Sequence, residues 1–354
     1  MPEQERVDKP YQKYILRWLD VMIVAVSVMV LIGGVTRLTG SGLSMTDWRL
    51  IGGIIPPVTE ASWQEKFELY QGTPQHVIIH PNMTVEEFKG IFWWEYIHRM
   101  WGRMLGFLFF LPFAFFVFKK CFDARRIKML LIAFILGGGQ GLLGWFMVQS
   151  GLEDQPWVSP VRLTVHFLMA LFLLALLTWN RLEISAGEKQ FLLKENHSAW
   201  IRWGLPIVAV LFVIQFSFGG VMAGMKAAMD FPTFPTMNGS WIPQTLWIEG
   251  SGWHNFFENS AFVHFVHRSV GTLLLLLASW VGILGYRMVA HRWKVVFAFL
   301  LGATWLQFLL GVITVINSMG HIPVSFGALH QAGGIVITVL LTVCMFMRLK
   351  LVKP

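Results

Sequence analysis

The chain has 354 residues, of which 55% are hydrophobic and 14% charged, with a mean hydropathy of +0.58. That composition excludes a soluble globular enzyme and defines a polytopic membrane protein. The formal net charge of +8 collects in the connections between apolar segments, so it reports topology and gives no reason to invoke nucleic acid as a partner.

A helix that crosses a bilayer needs roughly 20 mostly apolar residues. In chain order such segments run over about 19–37, 92–118, 128–150, 161–180, 203–225, 262–286, 294–317 and 325–347. Val295 to Met347 carries no Asp, Glu, Lys or Arg, and "NSMGHIPVSFG" (Asn317 to Gly327) breaks it into two helices. Alternate connections hold 19 of the 28 basic residues, from Arg6, Lys9, Lys13 and Arg17 to Arg348, Lys350 and Lys353. The positive-inside rule then places both termini in the cytoplasm, and a start containing Glu3, Glu5 and Asp8 does not read as a transit peptide. The expected location is a bacterial inner membrane, with the lipid bilayer as the first partner. Cys121 and Cys344 both fall near inner helix ends, which rules out an outer-side disulfide and leaves them as small apolar residues.

The sequence repeats itself. "GGVTRLTGSGLSMTDWRLIGGIIPP" from Gly33 aligns with "GGVMAGMKAAMDFPTFPTMNGSWIP" from Gly219, "HRMWGRML" from His98 with "HRSVGTLL" from His267, and "QGLLGWFMV" from Gln140 with "QFLLGVITV" from Gln307. His166 aligns with His330, and the order is kept throughout. The expected fold is therefore an all-α polytopic membrane protein, with eight transmembrane helices as two pseudo-two-fold-related four-helix bundles. Residues 1–180 form the N-terminal bundle, with a long outer loop over 38–91. Residues 181–202 are a cytoplasmic linker, and 203–354 form the C-terminal bundle. An even number of spans per half inserts both halves the same way up.

Each half places a histidine near the outer end of its second and fourth helices: His98 and His166, then His267 and His330. An ionisable residue inside a span is costly, and two matched pairs at one depth exceed what isolated packing histidines would explain. Two histidines on facing helices of a bundle suit axial ligation of heme iron; zinc would need a fuller ligand set. Arg99 and Arg268 follow their histidines, and Arg103 and Arg162 lie nearby, where cations could meet outward propionates. Gly102 and Gly271, four residues after His98 and His267, could let a porphyrin approach. His76, His80, His254 and His321 in outer loops, and His197 and His291 in cytoplasmic ones, read as structural or solvated.

The halves diverge three residues before the first histidine, where Glu95 in "WEYIHR" aligns with His264 in "FVHFVHR". Glu95 shares a helix face with His98, so it could act as a base or stabilise developing positive charge; an ion pair with Arg99 is the structural alternative. "TRLTGSGLSMTDW" (Thr36 to Trp48) is dense in glycine and hydroxyls and reads as a tight non-helical lid at the membrane surface.

"GGVTRLTGSGLSMTDW", "EFKGIFWWEYIHRMWGR", "FVHRSVG" and "ALHQA" together resemble the heme A synthase family, in its alphaproteobacterial and mitochondrial branch, from about Trp18 to the C-terminus. The resemblance implies oxidation of the C8 methyl of heme O to a formyl group by two hydroxylations and loss of water. It implies that His98 and His166 hold the substrate heme O, with Arg99, Arg103 and Arg162 beside it. It implies that His267 and His330, with Arg268, hold a heme b cofactor, and that Glu95 is the catalytic carboxylate. The cysteine pair found in the outer loops of another branch is missing here. Implied partners are an unidentified electron acceptor, heme O synthase and cytochrome oxidase assembly factors; a homo-oligomer stays open. Two other readings stand beside it: a di-heme b-type electron-transfer protein, and a heme carrier without chemistry.

Overall fold

The computed structural model describes residues 9–46, 53–153, 155–186, 199–289 and 291–351. Asp47 and Trp48 of the lid, His197, and residues 187–198 of the linker lie outside the described residues. Among the described residues the chain is all helical: α1 (Lys9–Leu38), α2 (Glu60–Gln71), α3 (Pro74–Ile79), α4 (Val85–Phe118), α5 (Ala124–Gln149), α6 (Pro160–Ala186), α7 (Ala199–Met225), α8 (Asn255–Glu258), α9 (Ser260–Met288), α10 (His291–Ile316) and α11 (Val324–Leu351). Eight of these, all but α2, α3 and α8, are long and apolar enough to cross a membrane.

The spans are longer than hydropathy alone marks them, for identifiable reasons. α1 begins about ten residues early because its first turns are amphipathic: Ile15, Trp18, Leu19 and Met22 are buried at helical spacing while Lys13 and Arg17 stay outside. α4 begins at Val85 because Thr84 and Glu87 form a capping box, with Glu86 and Glu87 in the first turn where the helix dipole favours them. α6 runs to Ala186, into the expected linker, held there by Arg181 to Asp20 on α1 and Arg125 to Glu183.

The long helices contact one another in two rings. α1 packs on α4, α4 on α5, α5 on α6, and α6 back on α1. α7 packs on α9, α9 on α10, α10 on α11, and α11 back on α7. Between the rings α6 meets α7 and α11, and α11 meets α1. Each ring has its own apolar core toward the end that carries the termini, one around Leu19, Leu130 and Leu174, the other around Leu205, Leu274 and Phe297. Both rings also contain a helix with an internal proline, which frees a carbonyl four residues back. The Trp18 indole donates to Leu108 O, freed by Pro112, and Arg348 Nε donates to Arg202 O, freed by Pro206. In each ring a neighbouring helix thus satisfies the orphan acceptor.

The 38–91 connection is more than a loop. α2 packs over the start of α4 around Trp63, Phe67, Tyr70, Phe88 and Phe92, and α3 packs on α2 through His76, giving the first ring a helical cap at what we call the loop end. Only residues 39–46 match the expected non-helical lid: Gly40 takes φ +68, and Ser41 N–H turns back to Thr36 O. The two cysteines are buried and form no disulfide, Cys121 just after α4 and Cys344 near the end of α11.

Candidate heme sites

His98 on α4 and His166 on α6 stand on diagonally opposite helices of the first ring; His267 on α9 and His330 on α11 do the same in the second. Every imidazole lies on a glycine of the adjacent helix, and a Cβ there would sit 2.9–3.1 Å from the ring: Gly33 under His98, Gly144 under His166, Gly219 under His267 and Gly311 under His330. A methyl group at any of the four would push the ring out of its seat. The second glycine of each GG pair faces across the rings instead. Gly34 makes room for Gln331 of α11, whose amide donates to Val30 O on α1, and Gly220 makes room for Thr164 of α6.

The two pairs differ in how the rings are anchored. His267 Nδ1 lies 3.2 Å from Gln215 O, and His330 Nδ1 lies 3.1 Å from Gln307 O. A carbonyl only accepts, so the proton is on Nδ1 and Nε2 keeps its lone pair, the tautomer an iron ligand needs. The Gln215 and Gln307 side-chain amides approach those Nε2 atoms at 3.3 and 3.5 Å. Among the described residues neither His98 nor His166 makes a ring hydrogen bond, and His166 Nδ1 is buried without a partner. His98 also presents its Nε2 edge to its glycine, whereas the other three present Cε1. Among the described residues no group of three or more His, Cys, Asp or Glu side chains forms, so the donor sets are paired imidazoles. Paired imidazoles on glycine seats, two of them anchored through Nδ1, and an orphaned buried nitrogen on His166 fit a bis-imidazole porphyrin.

Glu95 is 2% exposed, one turn from His98 toward the loop end. Its Oε2 accepts from Ser44 Oγ at 2.7 Å and from the Met45 N–H at 2.8 Å, and its Oε1 accepts from Arg99. Arg99 also donates to Met45 O. The ion pair of Glu95 with Arg99 is present, and it ties the 39–46 turn to the helix that carries His98. Tyr70, buried in the cap, is pushed above its ordinary pKa by burial first and by the Glu95 charge second.

In the second ring His264 takes the place of Glu95 and pairs with Arg268 at 3.0 Å. Arg268 donates to Thr233 O, Pro235 O and Thr236 O, all at 3.0 Å, and so clamps its own loop. The arginines read as propionate partners are thus engaged with protein: Arg99 and Arg268 hold loops, Arg162 donates to Phe146 O and stacks on the Phe146 ring, and Arg103 reaches Met100 Sδ. Gly102 and Gly271 do not open a path for porphyrin; they receive Met29 and Gln215 from the neighbouring helices. Sequence reasoning missed the seats and anchors, although a signal was present. Gln140–Gly144, Gln215–Gly219 and Gln307–Gly311 share the spacing Q-x-x-x-G, and only the His98 seat has Met29 at the glutamine position.

The fold defines a multi-pass helical membrane protein whose two helix rings each carry a pair of histidines on opposite helices. The cytochrome oxidase assembly protein family matches residues 16–344. The chain is 39% identical to the heme A synthase of Parvibaculum lavamentivorans over 90% of both chains. It is 37% identical to that of Nitrosomonas eutropha over 92% of both, and 37% identical to that of Rhodopseudomonas palustris over 96% of this chain and 91% of the relative. The chain belongs to the heme A synthase family.

Proposed function

We propose that this protein is a heme A synthase of the bacterial inner membrane that oxidises the C8 methyl of heme O to a formyl group. In this reading 1–180 is the substrate bundle, 203–354 is a pseudo-two-fold-related cofactor bundle with heme b, and both termini are cytoplasmic. The observation that carries the assignment is the anchoring difference. His267 and His330 are oriented by carbonyl acceptors, as suits a resident cofactor, whereas His98 and His166 lack them, as suits a ligand that arrives and leaves. Among the described residues only the first site has a buried carboxylate beside it.

The substrate step balances with water. The methyl loses two electrons and two protons as water adds, giving the alcohol; a second such oxidation gives the geminal diol, which loses water to the aldehyde. Heme b, which His267 and His330 would hold, would supply a one-electron relay that passes the two electrons of each oxidation singly to an onward acceptor. Glu95 already accepts three hydrogen bonds, so stabilising positive charge at the carbon suits it better than collecting a proton. The Ser44–Met45 turn and Arg99 hold that carboxylate in place, and the cap over α4 limits bulk water at the loop end.

Expression in a bacterium that makes heme O but no heme A, followed by heme extraction and chromatography, tests the reading. Formyl or hydroxymethyl heme appearing only with this protein supports it. Two protohemes per chain with heme O unchanged would replace it with a di-heme electron carrier. Glu95→Gln should keep heme bound while stopping oxidation at heme O or the alcohol; full activity in that variant would remove Glu95 from the chemistry.

A further inference from the structure

The seam between α4 and α5 differs from its repeat between α9 and α10 in a way that bears on the substrate. Toward the terminal end, α4 and α5 meet through Phe134, which packs on Phe109 and Phe110 with ring centroids 5.6 and 5.7 Å apart. Going from there toward the histidines, the facing stripe offers Gly106 on α4 and Gly138 and Gly141 on α5. Glycine in membrane helices usually lets two backbones approach closely. Here nothing lies within 4 Å of the Cβ position at any of the three. By the alignment of the halves, the same positions in the second ring are Leu275, Trp305 and Phe308. There Trp305 Nε1 donates to Ser279 Oγ on α9 at 3.0 Å, Leu275 is buried, and Phe308 packs on Phe234 of the clamped loop. One seam is stapled; its repeat is open.

The open seam leads toward a site that lacks a partner of its own. Gly141 is one turn from Gly144, the seat of His166, whose buried Nδ1 has no hydrogen-bond partner. The flanking side chains that face outward, Phe107 and Leu142, are apolar and exposed, so the slot gives onto hydrocarbon. Heme O is a porphyrin with a long isoprenoid chain on the edge remote from its propionates. A heme held with its propionates toward the loop end directs that chain toward the terminal end, at the depth of Gly138 and Gly141.

We propose that the α4–α5 seam is the portal through which the isoprenoid tail of heme O lies in the bilayer while its porphyrin is held between His98 and His166. The proposal rests on the assignment of that pair to the substrate. Gly106, Gly138 and Gly141 are then specificity-determining residues: they admit a tailed porphyrin to the first ring, and Leu275, Trp305 and Phe308 keep it from the second.

The experiment expresses the full chain in a bacterium that makes heme O and measures the hemes retained on the purified protein, a readout independent of turnover. Gly138→Trp installs the residue of the sealed repeat. It should lower retained heme O and its oxidation products roughly tenfold, the factor that an overpacking cost converts to in affinity, while protoheme stays at wild-type level. Gly138→Ala, with nothing near its Cβ, should retain both. Retained protoheme shows that Gly138→Trp has folded; should it lose both hemes, Gly141→Leu decides by the same readout. Equal heme O in wild type and in the folded bulky variant overturns the portal alone. A wild-type chain that yields only protoheme overturns the substrate assignment and the portal with it.

Discussion

The two histidine sites share a seat and differ in almost everything around it. In both rings each imidazole lies on a glycine of the neighbouring helix, where an added Cβ would come within 2.9–3.1 Å of the ring, so duplication has kept the support. The second ring adds carbonyl acceptors at Nδ1 and a neutral His264 beside its arginine. The first ring has no such acceptors, a buried Glu95–Arg99 ion pair and an open helix seam. Rigid orientation belongs with a group that stays, and a buried charge with a place where charge develops. The contacts shared by the two rings are the glycine seats, and those that differ are the Nδ1 anchors, the buried charge and the helix seam.

The sharpest way to break this contrast is to remove the arginine from each ring. Arg99→Leu strips the partner from a buried carboxylate, which costs about 3–5 kcal/mol. Arg268→Leu removes hydrogen bonds from a charged donor to three carbonyls, about 1.5–3 kcal/mol for each that water does not then replace, and its buried neighbour is an imidazole that can stay neutral. Thermal unfolding in detergent measures both. An Arg99→Leu variant as stable as wild type would show that Glu95 is not held as a buried anion.

Next in size are the seats. Gly219→Ala and Gly311→Ala should lower protoheme content, and Gly33→Ala and Gly144→Ala should lower retained heme O while leaving protoheme alone. Each added methyl costs about 1–3 kcal/mol if the ring cannot shift. Extraction and chromatography of the bound hemes separate the four. Loss of the same heme from all four variants would collapse the distinction between substrate and cofactor sites.

Much of this was legible in the sequence. Eight spans, the duplication and the four histidines follow from hydropathy and self-comparison, because a bilayer demands long apolar helices and duplicated motifs keep their order. Helix ends were less legible: the start of α1 is amphipathic and that of α4 is set by a polar capping box, and neither raises hydropathy. α2 and α3 were invisible because they are short and their apolar face is covered only once α4 is in place. The protein partners of the arginines were not legible, for a general reason. A cation near a presumed carboxylate ligand can as easily be satisfied by backbone carbonyls, and only coordinates show that Arg268 meets three of them. The seats were missed because a glycine says nothing about which ring will lie on it.

The smallest expected effect lies where the halves meet. Lys226, just past the loop end of α7, stacks on Trp157 with its Nζ 3.1 Å from the ring centroid. Burial first, and then Arg37 of the first ring, lower its pKa from 10.5 to about 8. A lysine with a depressed folded pKa is harder to charge in the native state than in the unfolded chain. Its proton therefore costs stability below about pH 8, and the cost fades between there and 10.5, where neither state keeps the proton. The aromatic ring opposes this, since a cation on its face gains about 0.5–1 kcal/mol at an exposed site. Lys226→Met removes both contributions, so the pH dependence of its melting temperature relative to wild type shows which is larger. The expected outcome is a variant more stable than wild type near neutral pH by a degree or two, with the gap closing as pH approaches 10.5. Arg37→Leu should close part of the same gap without touching Trp157. A variant less stable at neutral pH that recovers in alkali would instead mean that Trp157 holds the charge more strongly than burial and Arg37 expel it.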